Sequence, residues 1–168
     1  MSIITNVRTI RLEQFPNSIW VEIETDENLT GLGEAWRGTA AIETIIHHDI
    51  CPWLIGQDSR NIELISRTLL TPYVGFHSAS AEVRAASAID IALWDLAGKR
   101  HGIPVYEALG GASRSSIQVY NTCSGYSFNA SSSAYNSGSS RRMITDKDEM
   151  RGPYDDQVAF NRDAGALA

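Results

Sequence analysis

The strongest constraint on the fold is the order in which two hydrophobic periods follow each other along the chain. Between residues 18 and 25 every second residue is apolar, so that Ile19, Val21 and Ile23 share one face. This two-residue period is typical of a strand with one buried face. From residue 39 onward, apolar residues recur every three or four positions, which is the period of an amphipathic helix. Strands first and helices afterwards indicate an α+β fold.

Two further strands are predicted, one on each side of this segment. Residues 3–12 alternate and are rich in β-branched side chains, and residues 29–35 follow a polar turn at residues 26–28. Strands joined by such short connections pair as an antiparallel meander. We therefore predict a three-stranded antiparallel meander packed on a helical bundle.

Two helices are predicted between residues 39 and 72. Thr39 is placed at the N-cap of the first helix, and Pro52 is expected to end it. Asp58 or Ser59 is placed at the N-cap of the second helix, with Pro72 past its end. The apolar residues expected to face the core are Ile42, Ile45, Ile46, Ile50, Ile62, Ile65 and Leu69.

A third, longer helix has the clearest end signals in the chain. Ser78 or Ser80 is placed at its N-cap, Glu82 lies in its first turn, and Gly102 and Pro104 follow its last turn. The last turn is basic, with Lys99, Arg100 and His101. Most of this helix is predicted to be buried, and its recurring apolar positions are Val83, Ala86, Ile89, Leu93, Trp94 and Ala97.

The pattern changes again after residue 112. Residues 116–123 are predicted to form a strand, residues 124–154 a flexible loop rich in Ser, Asn and Gly in its first half, and residues 155–168 the start of a helix. A lone strand has no partner for its backbone groups. The sequence therefore predicts one domain at residues 1–112 and an unfinished second unit at residues 113–168.

Composition excludes several classes of function. The formal net charge is −6 and no long run of Lys or Arg is present, so nucleic-acid binding has no electrostatic support. No apolar run reaches the roughly 18–20 residues that span a bilayer, and no signal peptide precedes the first strand. Cys51 and Cys123 lie far apart, which argues against a disulfide framework. These features favour a cytoplasmic protein.

Three sequence blocks resemble one known family. Residues 25–35 read TDENLTGLGEA, residues 55–63 read IGQDSRNIE, and residues 85–99 read AASAIDIALWDLAGK. The last block is followed by GIPVY and, two residues later, LGG. In this order the blocks are similar to the N-terminal domain of the mandelate racemase and muconate lactonizing enzyme family, part of the enolase superfamily. The departures are Asn28 and Ala108 in place of a common Gly and Leu, and Ser59 in place of a common Pro.

The resemblance implies an N-terminal cap over a (β/α) barrel, of which residues 116–123 would be the first strand. It also implies a Mg²⁺-dependent, homo-oligomeric enzyme that abstracts the proton α to the carboxylate of a small carboxylate or sugar-acid substrate. Dehydratase or racemase chemistry is expected, with acid-sugar dehydration favoured. The catalytic lysine and the metal ligands would lie on barrel strands beyond Ala168. We therefore expect this chain to hold no catalytic residue, to bind no metal and to be inactive alone. A non-catalytic cap-like module that binds a partner chain is the alternative.

The resemblance also implies that two cap loops select the substrate. Asn17 lies on the first loop, Trp36 and Arg37 lie on the second, and Asn121 ends the predicted barrel strand. Arg37 suits a carboxylate because its planar fork can bind two oxygens. Arg37 is equally well explained as a surface cation and Trp36 as the edge of the core, while Asn121 could instead bond the loop after its strand. Less specific candidates are Phe15, His77, Arg141, Arg142 and Arg151.

Two further groups are expected to be structural. Asp90 and Asp95 are five residues apart on the third helix and do not share a face, so they are not a metal pair. His47 and His48 lack ligand spacing and are expected at a partly solvated helix end.

Overall fold

A computed structural model describes residues 1–13, 15–71 and 80–119 of the chain. Three strands, β1 (Ile4–Ile10), β2 (Ser18–Thr25) and β3 (Thr30–Trp36), form one antiparallel sheet with β2 at its centre. The predicted meander is therefore confirmed, with each strand end within two residues of its prediction.

The alternation in β2 separates the two faces of the sheet as predicted. Ile19, Val21 and Ile23 are fully buried, whereas Trp20 and Glu22 lie on the opposite, more accessible face. The register pairs Val21 with both Thr9 of β1 and Gly33 of β3. Burying three β-branched side chains on one face removes them from water and stabilises the sheet against the helices.

The turn between β2 and β3 explains one departure from the family pattern. The Asn28 N–H donates to the Thr25 carbonyl at 3.1 Å, and the Thr25 N–H donates to the Leu29 carbonyl at 3.0 Å. Asn28 has a φ of 58°, in the left-handed region. Asparagine tolerates this region better than most residues, so it can replace the common glycine.

The helices follow the sheet. They are α1 (Thr39–Thr44), a π-helical segment (Ile45–Ile50), α2 (Cys51–Leu54), α3 (Ile62–Leu70), α4 (Ala81–His101) and α5 (Val105–Ala108). No helix in the described ranges is both long and apolar enough to cross a membrane. The α+β assignment, with a sheet packed on helices, is confirmed.

The prediction for the first helix is wrong at both ends. Thr39 is its first residue, and Gly38 takes the N-cap position. Pro52 does not end the helical segment, which runs on to Leu54 through the π-helical turns. Pro52 lies in the first turn of α2, where the missing N–H and the fixed φ of proline are tolerated.

The predicted cap of the second helix is also wrong. Asn61, not Asp58 or Ser59, is the N-cap residue of α3. Asp58 instead accepts hydrogen bonds from the N–H groups of Ser2 and Arg60, each at 3.2 Å. The Asp58 carboxylate therefore contacts the start of the chain instead of capping α3.

The third helix, α4, begins and ends where the sequence predicts. Ser80 is its N-cap residue, and Gly102, with a φ of 66°, ends it. Val83 is wrongly predicted as core, because 39% of its surface is exposed. The face of α4 that is buried carries mainly small residues: Ala85, Ala86, Ala88, Ile89, Ala92, Leu93, Leu96 and Gly98.

These small residues allow α4 to lie directly against β3. A Cβ atom at Gly33 would overlap the carbonyl oxygen of Ala88 and lie 3.1 Å from the nitrogen of Ala92. At Gly31 it would overlap the carbonyl oxygen of Ala92. Glycine is therefore required at positions 31 and 33, because the backbones of β3 and α4 are in direct contact there.

The same helix covers the free edge of β3. The Leu32 N–H donates to Asp95 Oδ2 at 2.8 Å, and Lys99 Nζ donates to the Thr30 carbonyl at 2.7 Å. Asp95 and Lys99 are themselves paired at 2.7 Å. Since an unpaired strand edge can pair with another chain, these two side chains protect the sheet from edge-to-edge association. Asp95 therefore has a structural role.

The described residues from Met1 to Glu13 and from Ser18 to Ser115 form one compact unit. Residues 116–119 form no strand, and the remainder of the predicted 116–123 strand lies outside the described residues. The flexible loop at 124–154 and the helix at 155–168 also lie outside them. The boundary at residue 112 and the start of a barrel therefore stay predictions.

Candidate functional site

The corner between β3 and α1 contains two of the four predicted site residues. Trp36 is the last residue of β3, and Arg37 and Gly38 then have φ values of 63° and 74°. Glycine adopts this left-handed conformation without strain, but for arginine it costs about 1–2 kcal/mol. Such strain persists only where the surrounding structure holds it. The corner is therefore a constrained segment rather than a relaxed surface turn.

The side chains of Trp36 and Arg37 lie against each other. The guanidinium carbon of Arg37 is 4.6 Å from the centre of the Trp36 ring, which is a cation–π contact. Trp36 is 49% exposed, because the alternation along β3 turns it away from the helices. The planar fork of an arginine matches the two oxygens of a carboxylate.

The main chain of this corner is attached to α4. Nη1 of Arg84, in the first turn of that helix, donates to the carbonyl oxygen of Arg37 at 3.1 Å. Sequence reasoning did not find Arg84, because the two residues are 47 positions apart. Only the packing of α4 on β3 brings them together.

The other two predicted site residues are Asn17 and Asn121. Asn17 is a half-buried turn residue immediately before β2, and it lies outside the compact unit that contains Arg37. Phe15, in the same turn, is exposed. Asn121 lies outside the described residues, as do His77, Arg141, Arg142 and Arg151.

No metal centre is formed by residues 1–13, 15–71 and 80–119. Within them, no three His, Cys, Asp or Glu side chains are grouped so that they could hold a metal ion. His47 Nε2 lies 2.9 Å from Thr9 Oγ1, which also donates to Glu43 at 3.0 Å. His47 is exposed as predicted, but it lies within the π-helical segment and not at a helix end. These residues therefore do not provide the donor set that Mg²⁺ requires.

A second polar group joins the start of the chain to α4 and to the turn before α3. Ser2 and Ser59 are completely buried, and Nη2 of Arg100 donates to both hydroxyl oxygens, at 2.8 Å and 2.9 Å. Nε of the same arginine donates to Glu27 at 3.3 Å. The sequence predicted Arg100 only as a favourable charge at the end of a helix. Among the described residues, Arg100 links Ser2, Glu27 and Ser59, which indicates a structural role.

Asp58 belongs to the same region, and its pKa is far below the usual range. The main cause is its pair with the Arg60 side chain, 2.6 Å away, which outweighs the opposing effect of burial. The N–H groups of Arg60 and Ser2 add to it. Hydrogen bonding to Ser2, followed by Arg100, also lowers the pKa of Glu27.

These shifts make the stability depend on pH in the acid range. A carboxylate with a lowered folded-state pKa stabilises the fold above its unfolded pKa of about 4, and the effect is lost as pH falls further. We expect the free energy of unfolding to decrease below about pH 4, and to decrease less steeply in Asp58→Asn. Urea titrations between neutral and acid pH measure both slopes. Equal slopes in the two proteins would contradict the role of Asp58.

Comparisons with known proteins agree with the fold and with the motifs. Residues 6–110 match the family described as "Mandelate racemase / muconate lactonizing enzyme, N-terminal domain". The chain therefore belongs to the mandelate racemase and muconate lactonizing enzyme family of the enolase superfamily and carries its N-terminal domain.

Curated relatives include two dehydratases of sugar acids. A D-mannonate dehydratase of Rhizorhabdus wittichii is 36% identical over 126 residues, which cover 73% of this chain and 31% of the relative. A D-galactonate dehydratase of Ralstonia nicotianae is 39% identical over 124 residues, with the same two coverages. The chain thus spans about a third of the length of the curated relatives it matches.

Solved structures show the same relationship. An enolase protein from the environmental genome shotgun sequencing of the Sargasso Sea is 58% identical, with a TM-score of 0.69 over 74% of this chain and 34% of that one. An enolase from Pantoea ananatis, with bound D-gluconate and Mg, is 39% identical, with a TM-score of 0.60 over 68% of this chain and 28% of that one.

Proposed function

We propose that this chain is the N-terminal domain of a Mg²⁺-dependent acid-sugar dehydratase. The observation that carries the proposal is the similarity to two curated dehydratases of sugar acids, each over 73% of the chain. The Pantoea ananatis structure, with D-gluconate and Mg, supports the same substrate class and metal. The two relatives act on different sugar acids, so the proposal names the class of substrate and not one member.

The chemistry begins with loss of the proton α to the substrate carboxylate. That proton is weakly acidic, and Mg²⁺ in such an enzyme would stabilise the negative charge that develops on the carboxylate oxygens. The described residues do not form a Mg²⁺ site, so no step of proton transfer or metal binding is assigned to them. Their proposed contribution is recognition of the substrate.

Recognition is proposed to centre on Trp36 and Arg37. The exposed ring of Trp36 gives the Arg37 guanidinium a flat support, and the guanidinium can donate two parallel hydrogen bonds to a carboxylate. Asn17 and Asn121 are proposed to contact the substrate hydroxyl groups, because an amide can both donate and accept. In this proposal Arg37 binds the substrate carboxylate, and the two asparagines bind its hydroxyl groups.

The proposal can be tested in a chimera. Residues 1–111 of this chain would replace the matching residues of the Ralstonia nicotianae D-galactonate dehydratase, with the unaltered enzyme as control. We expect Mg²⁺-dependent dehydration of at least one acid among D-galactonate, D-mannonate and D-gluconate. Arg37→Met should raise KM about tenfold or more, because a charge-assisted hydrogen bond is lost. The value of kcat should change little, because the contact is made in both the ground and transition states.

Several outcomes would contradict this assignment. Racemisation without dehydration would contradict the assignment as a dehydratase. An unchanged KM in Arg37→Met would contradict the proposed role of Arg37 in substrate recognition. The chain of residues 1–168 alone should show no turnover, because the family resemblance assigns proton abstraction to barrel strands. Turnover by that chain would overturn its proposed role as a cap.

A further inference from the structure

We propose that Arg84 is a positioning residue, which holds the Arg37 guanidinium where it can bind the substrate carboxylate. The inference rests on the proposed function, because it concerns the same recognition site. It is carried by one contact, the hydrogen bond from Arg84 Nη1 to the Arg37 carbonyl oxygen at 3.1 Å. Arg84 acts on the main chain of the corner, and it is not itself proposed to contact substrate.

The helix that carries Arg84 is a rigid support. The next residue along α4, Ala85, is completely buried, and so is Ala88 one turn further on. The carbonyl oxygen of Ala88 lies directly against Gly33, so this part of the helix cannot shift along the strand. At the far end of β3, Asp95 and Lys99 fix the helix to the strand edge. Because α4 is held in place, the Arg84 side chain can hold the main chain of the corner in one position.

The corner needs this support because Arg37 has a left-handed backbone. Its φ of 63° is disfavoured for any residue with a Cβ atom, and Gly38 beside it can adopt many other conformations. The peptide group between them is planar, so fixing its carbonyl oxygen also fixes the direction of the Gly38 N–H. Without the Arg84 hydrogen bond, Arg37 can relax to a negative φ. That rotation would move its side chain away from the Trp36 ring.

The contact between Arg37 and Trp36 provides a readout that does not depend on enzyme activity. Protons of a guanidinium group that lies over an aromatic ring are shifted upfield in NMR spectra. In the chain of residues 1–168, the Arg37 Nε–H signal can be assigned by its loss in Arg37→Met. We expect Arg84→Met to abolish the upfield shift and Arg84→Lys to restore part of it, because an ammonium group can still donate to the carbonyl. An unchanged signal in Arg84→Met would overturn the proposal.

A matched control variant is Arg67→Met. Arg67 is an exposed helical arginine on α3, paired with Glu63 at 3.6 Å. Its replacement removes the same charge as Arg84→Met, and we expect it to leave the Arg37 signal unchanged. Equal loss of the signal in both variants would overturn a specific role for Arg84, since the effect would then follow from net charge.

Kinetics in the dehydratase chimera test the functional part. We expect Arg84→Met to raise KM between about three- and tenfold, less than Arg37→Met, with kcat nearly unchanged. Arg67→Met should leave both constants unchanged. A chimera that is inactive with all its arginines intact would contradict the proposed function. An active chimera whose KM does not respond to Arg84→Met would contradict the positioning role alone.

Discussion

Replacing Gly33 with alanine is expected to destabilise the domain by about 3 kcal/mol or more, near or above the upper end of the usual cost of overpacking. The added methyl group would overlap the Ala88 carbonyl oxygen and lie 3.0 Å from the carbonyl carbon of the same residue. These are main-chain atoms, so no rotation of a side chain can relieve the overlap. Either β3 or α4 must move, and both contribute residues to the core.

Chemical denaturation followed by circular dichroism measures this effect. Glu34→Ala is a suitable control, because Glu34 is the next residue on β3 and is exposed on the opposite face. We expect the control to change the free energy of unfolding by less than about 0.5 kcal/mol, as is usual for surface substitutions. Similar stabilities for Gly33→Ala and Glu34→Ala would show that the strand and helix can separate without cost, contrary to the packing described.

Elements defined by local patterns could be predicted from the sequence. The alternation of Ile19, Val21 and Ile23 predicted the central strand with its correct bounds. Ser80 and Gly102 marked the two ends of α4, because caps depend on residues next to the helix. In each of these cases the signal lies within a few residues of the element it defines.

The π-helical segment, Ile45–Ile50, was not predicted from the sequence. Ile42, Ile46, Ile50 and Leu54 are buried at intervals of four residues. An α-helix has 3.6 residues per turn, so residues at intervals of four drift around its surface. The π-helical turns at Ile45–Ile50 are wider than α-helical turns and offset part of this drift. Pro52 predicted a helix end, whereas the helical segment continues to Leu54.

The candidate site could be predicted only in part. Trp36 and Arg37 were selected through the family resemblance, and the structure brings their side chains together. The left-handed backbone of Arg37 could not be foreseen, because nothing local distinguishes it from an ordinary turn. The hydrogen bond from Arg84 depends on tertiary packing across 47 positions. The family resemblance therefore named Trp36 and Arg37 as candidates, and the contact from Arg84 to their corner required the structure.

The buried polar group around Arg100 also depends on contacts between residues far apart in the sequence, 41 positions to Ser59 and 98 to Ser2, and its loss should have a large effect. Arg100→Met is expected to lower the free energy of unfolding by about 2–4 kcal/mol, since hydrogen bonds from a charged group are strong and buried hydroxyls are costly to leave without partners. Arg100 is only 17% exposed, and both Ser2 and Ser59 are completely buried. One side chain of α4 therefore joins the start of the chain to the turn before α3.

A double-mutant cycle separates this contribution from general damage to the fold. Ser59→Ala alone should be destabilising, because Arg100 then loses an acceptor. In the Arg100→Met background the same change should cost much less, since removing both partners of a buried hydrogen bond can be nearly neutral. We expect a coupling free energy of about 1–2 kcal/mol from urea titrations of the four proteins. Arg67→Met, which removes an exposed arginine of a weak surface pair, should change stability by less than about 0.5 kcal/mol. Additive effects of Arg100→Met and Ser59→Ala would contradict this account, because the arginine would then stabilise the domain without acting through the buried serine.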